Sequence, residues 1–145
     1  MAIGAILLFI WCLARKIPLK VNLVNHAFFL VQGGLLFGLN FWTIYLAEVY
    51  LTSGIVAVIF SLLVFFNIIN GRIFLNRPVT AKTLLGGFLG MLGVAMLFYP
   101  EILKYSSSEN ALIGFAMAVL SVFIASLGNI TATRNGQTGL SIWSI

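Results

Sequence analysis

Uncharged polar side chains recur at helical spacing inside three long apolar stretches of this chain. They are Gln32, Asn40, Thr43, Asn67, Asn70, Ser126 and Asn129. Hydrocarbon makes such groups costly unless they face another helix or a water-filled cavity. They therefore predict either hydrogen bonds between helices or the lining of a path for a small solute, and the residue types leave both interpretations open.

The solute-path hypothesis has a direct test at the first of these stretches. Gln32, Asn40 and Thr43 fall on one face of a helix, together with Leu36 and Ala47. If this face lines a path, cysteines placed at the three polar positions react with a water-soluble thiol reagent and are protected by the substrate. Uniform inaccessibility of all three would contradict the hypothesis.

The composition places these polar residues in a membrane protein. Hydrophobic residues make up 61% of the 145 and charged residues only 8%, whereas a soluble domain carries about 25% charged residues. A helix needs about 20 apolar residues to cross the hydrocarbon core, and the period-2 alternation of membrane strands is missing. The sequence predicts an all-α bundle of about five transmembrane helices, with apolar segments at 2–14, 27–47, 54–75, 83–99 and 111–133.

Basic residues mark one side of this bundle. Seven of the eight lie in alternate turns, at Arg15, Lys16, Lys20, Arg72, Arg77, Lys82 and Arg134. The three glutamates, Glu48, Glu101 and Glu109, lie in the other turns with Lys104. Because cytoplasmic loops are enriched in Lys and Arg, we expect residues 15–20 and 72–82 and Arg134 to face the cytoplasm of a bacterial-type plasma membrane.

Small residues in two segments predict close contacts between helices. Gly86, Gly90 and Gly93 are spaced as one stripe, and Gly34 and Gly38 form a shorter one. Such stripes let helix backbones approach closely. We therefore assign these five glycines to helix packing, with sliding of helices during gating as the alternative.

The residues needed for common enzymatic chemistry are scarce. The sequence has no aspartate, one histidine (His26) and one cysteine (Cys12). It therefore offers no Ser/His/Asp set, no intrachain disulfide, no metal site and no phosphate-binding glycine loop. We expect neither an enzyme nor a bound cofactor, and the basic residues, being confined to turns, do not indicate nucleic-acid binding.

The two ends predict that the chain is a piece of a longer protein. The segment at 2–14 is too short to cross a membrane, and residues 140–145 turn apolar again. We expect residues 1–133 to form one transmembrane unit with a truncated first helix. Residues 134–145 are expected to form a cytoplasmic turn and the start of a further helix.

The central hairpin resembles the EamA-type repeat of the drug/metabolite transporter superfamily. Three stretches occupy the places of the repeat's helix after a small-residue turn, its short charged motif and its glycine-rich helix: TSGIVAVIFSLLVFF, FLNRPVT and LLGGFLGMLGVAMLF. The similarity spans most of residues 27–133. Val64 stands where the family has a proline, which suggests a straighter helix, and Arg77 stands where it has an acidic residue.

The resemblance implies ten helices in two inverted repeats, of which this chain supplies helices two to six, and a substrate cavity lined by the helices bearing Asn40, Asn67 and Asn129. It implies a secondary transporter that exports small organic metabolites or drugs by alternating access. The polar residues favour an uncharged or zwitterionic solute. The expected partners are that solute, the lipid bilayer and the missing remainder of the transporter or a second copy. The alternatives are a five-helix half that dimerises and a non-transporting membrane subunit.

Overall fold

The computed structural model describes residues 22–104 and 110–137, together with positions 6, 7, 10, 11 and 14. The helices of the two long ranges are α1 (Leu23–Glu48), α2 (Ser53–Leu75), α3 (Ala81–Leu97), α4 (Tyr99–Lys104) and α5 (Ala111–Gly136). Neither range contains a strand, so the all-α prediction is confirmed for the part of the chain described. The predicted segment at 2–14 lies mostly outside the described residues.

Helices α1, α2 and α5 are long and apolar enough to cross a membrane, and α3, with 17 residues, is somewhat shorter. Large apolar side chains cover the outside of the bundle, including Leu30, Met96 and Leu112, each 77% exposed. Soluble proteins rarely expose such continuous apolar surfaces. The protein is an integral membrane protein, and the predicted segments locate its long helices to within a few residues.

Helix α5 lies between α1 and α2 and contacts both. It runs antiparallel to α1, since Gly128 faces Leu36 whereas Gly114 faces Leu51, just beyond the end of α1. The side of α5 buried in these contacts consists almost wholly of small residues, which allows close approach of the backbones. They are Gly114, Ala118, Ser121, Val122, Ala125, Ser126 and Gly128.

The glycines assigned to packing from the sequence have open space beside them within the described part of the chain. At Gly34, Gly38, Gly86, Gly90 and Gly93, no described atom lies within 4 Å of where a Cβ would stand. In α3 the close contact is instead made by Gly87, where a Cβ would lie 2.9 Å from Cγ1 of Val64 on α2. A packing role for the five predicted glycines therefore has no partner within the described ranges and stays a prediction.

Two helices are irregular inside their apolar segments. Helix α1 contains a π-helical stretch, Gly34–Leu39, and α2 is interrupted at Ser61 and Leu62. The Ser61 hydroxyl donates to the Val58 carbonyl at 2.6 Å, a local bond that bends helices. Although Val64 replaces the family proline, α2 is still not a regular helix, because it is interrupted at Ser61, three residues earlier.

The end of α5 lies later than the sequence indicates. The helix continues to Gly136 rather than ending at residue 133. Arg134 and Asn135 therefore belong to its last turn instead of a cytoplasmic loop, and the Asn135 side chain is fully buried. The further helix expected near residue 140 lies outside the described residues.

Candidate functional site

Two adjoining cavities open between α2, α3 and α5 at the end where α2 finishes. Their volumes are about 380 Å³ and about 240 Å³, and both are lined by Asn67, Gly71 and Arg77. We call them together the Arg77 cavity. The remaining lining residues are Val64, Ile68, Pro78, Val79 and Thr83 in the larger part and Leu75, Asn129, Ile130 and Thr133 in the smaller part.

A tight helix end positions Arg77 at this cavity. Asn76 adopts the left-handed conformation, with φ 50°, which asparagine tolerates better than most residues. The backbone N–H groups of Asn76 and Arg77 both donate to the Gly71 carbonyl, as in common helix C-terminal motifs. The Thr80 side chain then accepts from the Thr83 N–H at 3.2 Å and starts α3.

Asn67 and Asn129 join α2 to α5 at the wall of the cavity. The Asn129 amide donates to Oδ1 of Asn67 at 3.3 Å. This bond uses only part of the hydrogen-bonding capacity of each side chain, because an asparagine has two donor hydrogens and two acceptor lone pairs. Both amides therefore keep donors and acceptors for a solute in the cavity.

Asn70 and Ser126 form a second polar pair between the same helices, away from the cavity lining. Nδ2 of Asn70 donates to the Ser126 hydroxyl at 2.8 Å. Asn70 is 4% exposed and Ser126 is fully buried. These two predicted path residues lie in the helix contact, where they hydrogen-bond each other.

The Asn70–Ser126 bond is expected to stabilise the bundle only modestly. Hydrogen bonds between transmembrane helices contribute about 0.6 kcal/mol on average and at most about 1.7 kcal/mol. A double-mutant cycle of Asn70→Leu and Ser126→Ala, followed by unfolding in detergent, should give a coupling free energy in this range. Strictly additive effects of the two substitutions would contradict the assigned bond.

The predicted polar face of α1 packs against α5. Asn40 and Thr43 are 7% and 5% exposed, and neither lines the Arg77 cavity. The Thr43 hydroxyl bonds to the carbonyls of Leu39 and Asn40, and the Asn40 amide donates to the Leu36 carbonyl. The structure thus separates these two residues from Asn67 and Asn129, and a path along α1 stays a prediction.

Gln32 belongs to a polar cluster at one end of the α1–α5 contact. Asn135 donates to Oε1 of Gln32 at 2.8 Å, and Nη1 of Arg134 donates to Oδ1 of Asn25 at 3.1 Å. The Arg134 guanidinium also lies 3.6 Å from the centroid of the Phe28 ring. We call these five residues the α1–α5 clamp. The clamp was not predicted from the sequence, because Arg134 was assigned to a loop.

Of the seven predicted path residues, the structure brings only Asn67 and Asn129 to the cavity. Arg77, Thr83 and Thr133 join them there, and sequence reasoning had treated Arg77 as a marker of topology. The available signal was its position in the family's short charged motif, where an acidic residue is usual. In the described part of the chain, no cluster of His, Cys, Asp or Glu side chains has the arrangement of a metal site.

Comparison with known protein families identifies the family of this chain. Residues 1–99 match the model of the EamA-like transporter family. Neither the curated proteins nor the solved structures gave a match to the chain. The family match covers more than half of the 145 residues and includes α1, α2 and α3, of which α2 and α3 contribute to the Arg77 cavity. The chain therefore belongs to the EamA-like transporter family.

Proposed function

We propose that this chain is part of a secondary transporter that exports small organic metabolites or drugs by alternating access. The observation that carries the proposal is the Arg77 cavity, an open space between three helices that is lined by both polar and apolar side chains. Its larger part, about 380 Å³, falls within the usual range of small-molecule sites. The remainder of the transporter, or a second copy of the chain, supplies the other walls.

The orientation of the proposed transporter follows from its charges. The start of α1, the end of α2 and the end of α5 lie at one end of the bundle, together with Arg77 and Arg134. Under the enrichment of basic residues in cytoplasmic loops, this end faces the cytoplasm of a plasma membrane. The Arg77 cavity then opens on the side from which an exporter takes up its substrate.

A non-transporting membrane subunit is the second candidate. The burial of Asn40, Thr43, Asn70 and Ser126 favours it, since these polar groups hydrogen-bond within or between helices. It does not account for the open amides of Asn67 and Asn129. A five-helix half that dimerises in antiparallel fashion is disfavoured, because the strong charge bias fixes a single orientation.

Solute flux decides between transport and packing. The full-length protein, reconstituted in proteoliposomes, should move at least one solute from a panel of neutral, zwitterionic, cationic and anionic organic molecules. Asn67→Leu should lower that flux about fivefold, because a lost hydrogen bond to the solute costs about 1 kcal/mol. Ile69→Leu, which changes an exposed apolar side chain, is the matched control and should leave flux unchanged. Absence of flux for the whole panel would contradict the proposal.

A further inference from the structure

We propose that the Arg77 cavity selects small organic carboxylates, an inference about substrate class that rests on the proposed transport function. Its basis is a guanidinium with no acidic partner among the described side chains, beside hydrogen-bond donors and an apolar wall. This replaces the expectation of an uncharged or zwitterionic solute that residue types alone suggested.

The first observation is that no acidic side chain described in the structure lies near Arg77. The chain has no aspartate and three glutamates. Glu48 ends α1 and Glu101 lies in α4, which follows the far end of α3, while Glu109 lies outside the described residues. Among the side chains that the structure describes, the acidic one, Glu48, thus lies at the end of α1 opposite Arg77. An arginine without an acidic partner can form charge-assisted hydrogen bonds to a carboxylate ligand.

The second observation is the set of groups beside the guanidinium. Arg77, the free amide hydrogens of Asn67 and the Thr133 hydroxyl can all donate hydrogen bonds into the cavity. The planar fork of arginine matches the two oxygens of a carboxylate. These donors specify a carboxylate group as the polar part of the ligand.

The apolar lining defines the other part of the ligand. Val64, Ile68 and Val79 face the larger cavity, and Leu75 and Ile130 face the smaller one. A compact apolar body can lie against these side chains while its carboxylate meets Arg77. An aromatic or branched aliphatic monocarboxylate has this combination.

Comparison with two neighbouring basic residues distinguishes ligand binding by Arg77 from a role in membrane topology alone. Arg72 and Lys82 lie in the same cationic region and contribute equally to its net charge. All three side chains are exposed, but only Arg77 lines the cavity, where it contributes to both parts. A purely topological function predicts similar consequences for Arg72→Gln and Arg77→Gln. If Arg77 binds the carboxylate, only Arg77→Gln should weaken the preference of the cavity for anions.

Thiol reactivity in detergent-solubilised full-length protein directly measures whether the cavity prefers anions to cations. In a Cys12→Ser background, Thr133→Cys is treated with two methanethiosulfonates, one carrying a sulfonate and the other a trimethylammonium group. Relative to a control cysteine at Val49, which is exposed at the opposite end of α1, the anionic reagent should be favoured. Arg77→Gln should lower the ratio of anionic to cationic rates about tenfold, as expected for removing one nearby charge, and Arg72→Gln less than twofold.

Three results at this cysteine would overturn the inference. They are an unchanged ratio in Arg77→Gln, an equal loss in Arg72→Gln, and failure of Thr133→Cys to react with either reagent. Benzoate and benzamide, which share a shape and differ in charge, provide the ligand test. Benzoate should slow the modification of Thr133→Cys, and benzamide should not; equal protection by the two would also overturn the inference.

Flux of the same two probes separates this inference from the proposed function. Benzoate flux that exceeds benzamide flux and falls in Arg77→Gln supports both. Flux of neutral solutes alone, unaffected by Arg77→Gln, overturns the carboxylate preference and leaves transport standing. Benzoate protection at Thr133→Cys without flux of any solute supports an anion site and contradicts transport.

Discussion

Replacing Gly114 by alanine is expected to lower the free energy of unfolding by about 2 kcal/mol, the typical cost of overfilling a packed contact. A Cβ at this position would lie 2.7 Å from Cβ of Tyr50, 2.8 Å from Cγ of Leu51 and 3.3 Å from the carbonyl oxygen of Ala47. Two of these atoms are fixed to the backbone or belong to it, so rotation of a side chain does not relieve the clash. The start of α5 would have to move away from the turn after α1.

Gly90→Ala is the matched control for this substitution. A Cβ at Gly90 meets no described atom within 4 Å, and alanine is a better helix former than glycine by up to about 1 kcal/mol. Unfolding followed by circular dichroism in detergent should rank Gly90→Ala at or above the original protein and Gly114→Ala well below it. Equal losses at both positions would show that the Gly86, Gly90 and Gly93 stripe is packed after all.

Replacing Arg134 by glutamine is expected to lower the free energy of unfolding by about 2 kcal/mol. The substitution removes a cation–π contact with Phe28 and a charged hydrogen bond to Asn25, which contribute about 1 kcal/mol and about 1.5 kcal/mol in typical cases. Arg134 is half-buried, so little of this is recovered from water. The first turns of α1 lose their main polar attachment to α5.

Hydrogen exchange locates this effect. In Arg134→Gln, the backbone amides of Leu23–Gly33 should exchange faster, while those of α2 should exchange as before. Arg72→Gln removes the same charge from an exposed position and should change stability by less than about 0.5 kcal/mol. A stability loss in Arg72→Gln as large as that in Arg134→Gln would indicate an effect of net charge and contradict the α1–α5 clamp.

The helices could be predicted from the sequence because the bilayer imposes their length. The segments predicted at 27–47 and 111–133 correspond to Leu23–Glu48 and Ala111–Gly136. The differences lie at polar ends such as Arg134 and Asn135, where apolar composition gives no signal. Those residues continue the helix because Gln32, Asn25 and Phe28 on α1 supply partners, and such tertiary contacts cannot be read from local composition.

The candidate site was only partly predictable for a related reason. Periodicity identifies Asn67 and Asn129 as polar positions on helical faces, and equally identifies Asn40, Thr43, Asn70 and Ser126. Which face meets another helix and which meets a cavity depends on how α5 lies between α1 and α2. The packing glycines show the same limit: Gly87 and Gly90 are chemically identical, and only Gly87 lies against Val64.

The most direct test of the account compares cysteine accessibility at two polar faces. In a Cys12→Ser background, single cysteines replace Asn67 and Asn129 at the cavity, and Asn40 and Thr43 in the α1–α5 contact. The account predicts that a water-soluble thiol reagent modifies the first two rapidly and the last two at least about tenfold more slowly. If the reagent modifies cysteines at positions 40 and 43 but not those at 67 and 129, the Arg77 cavity is not the solute path, and the path lies along α1.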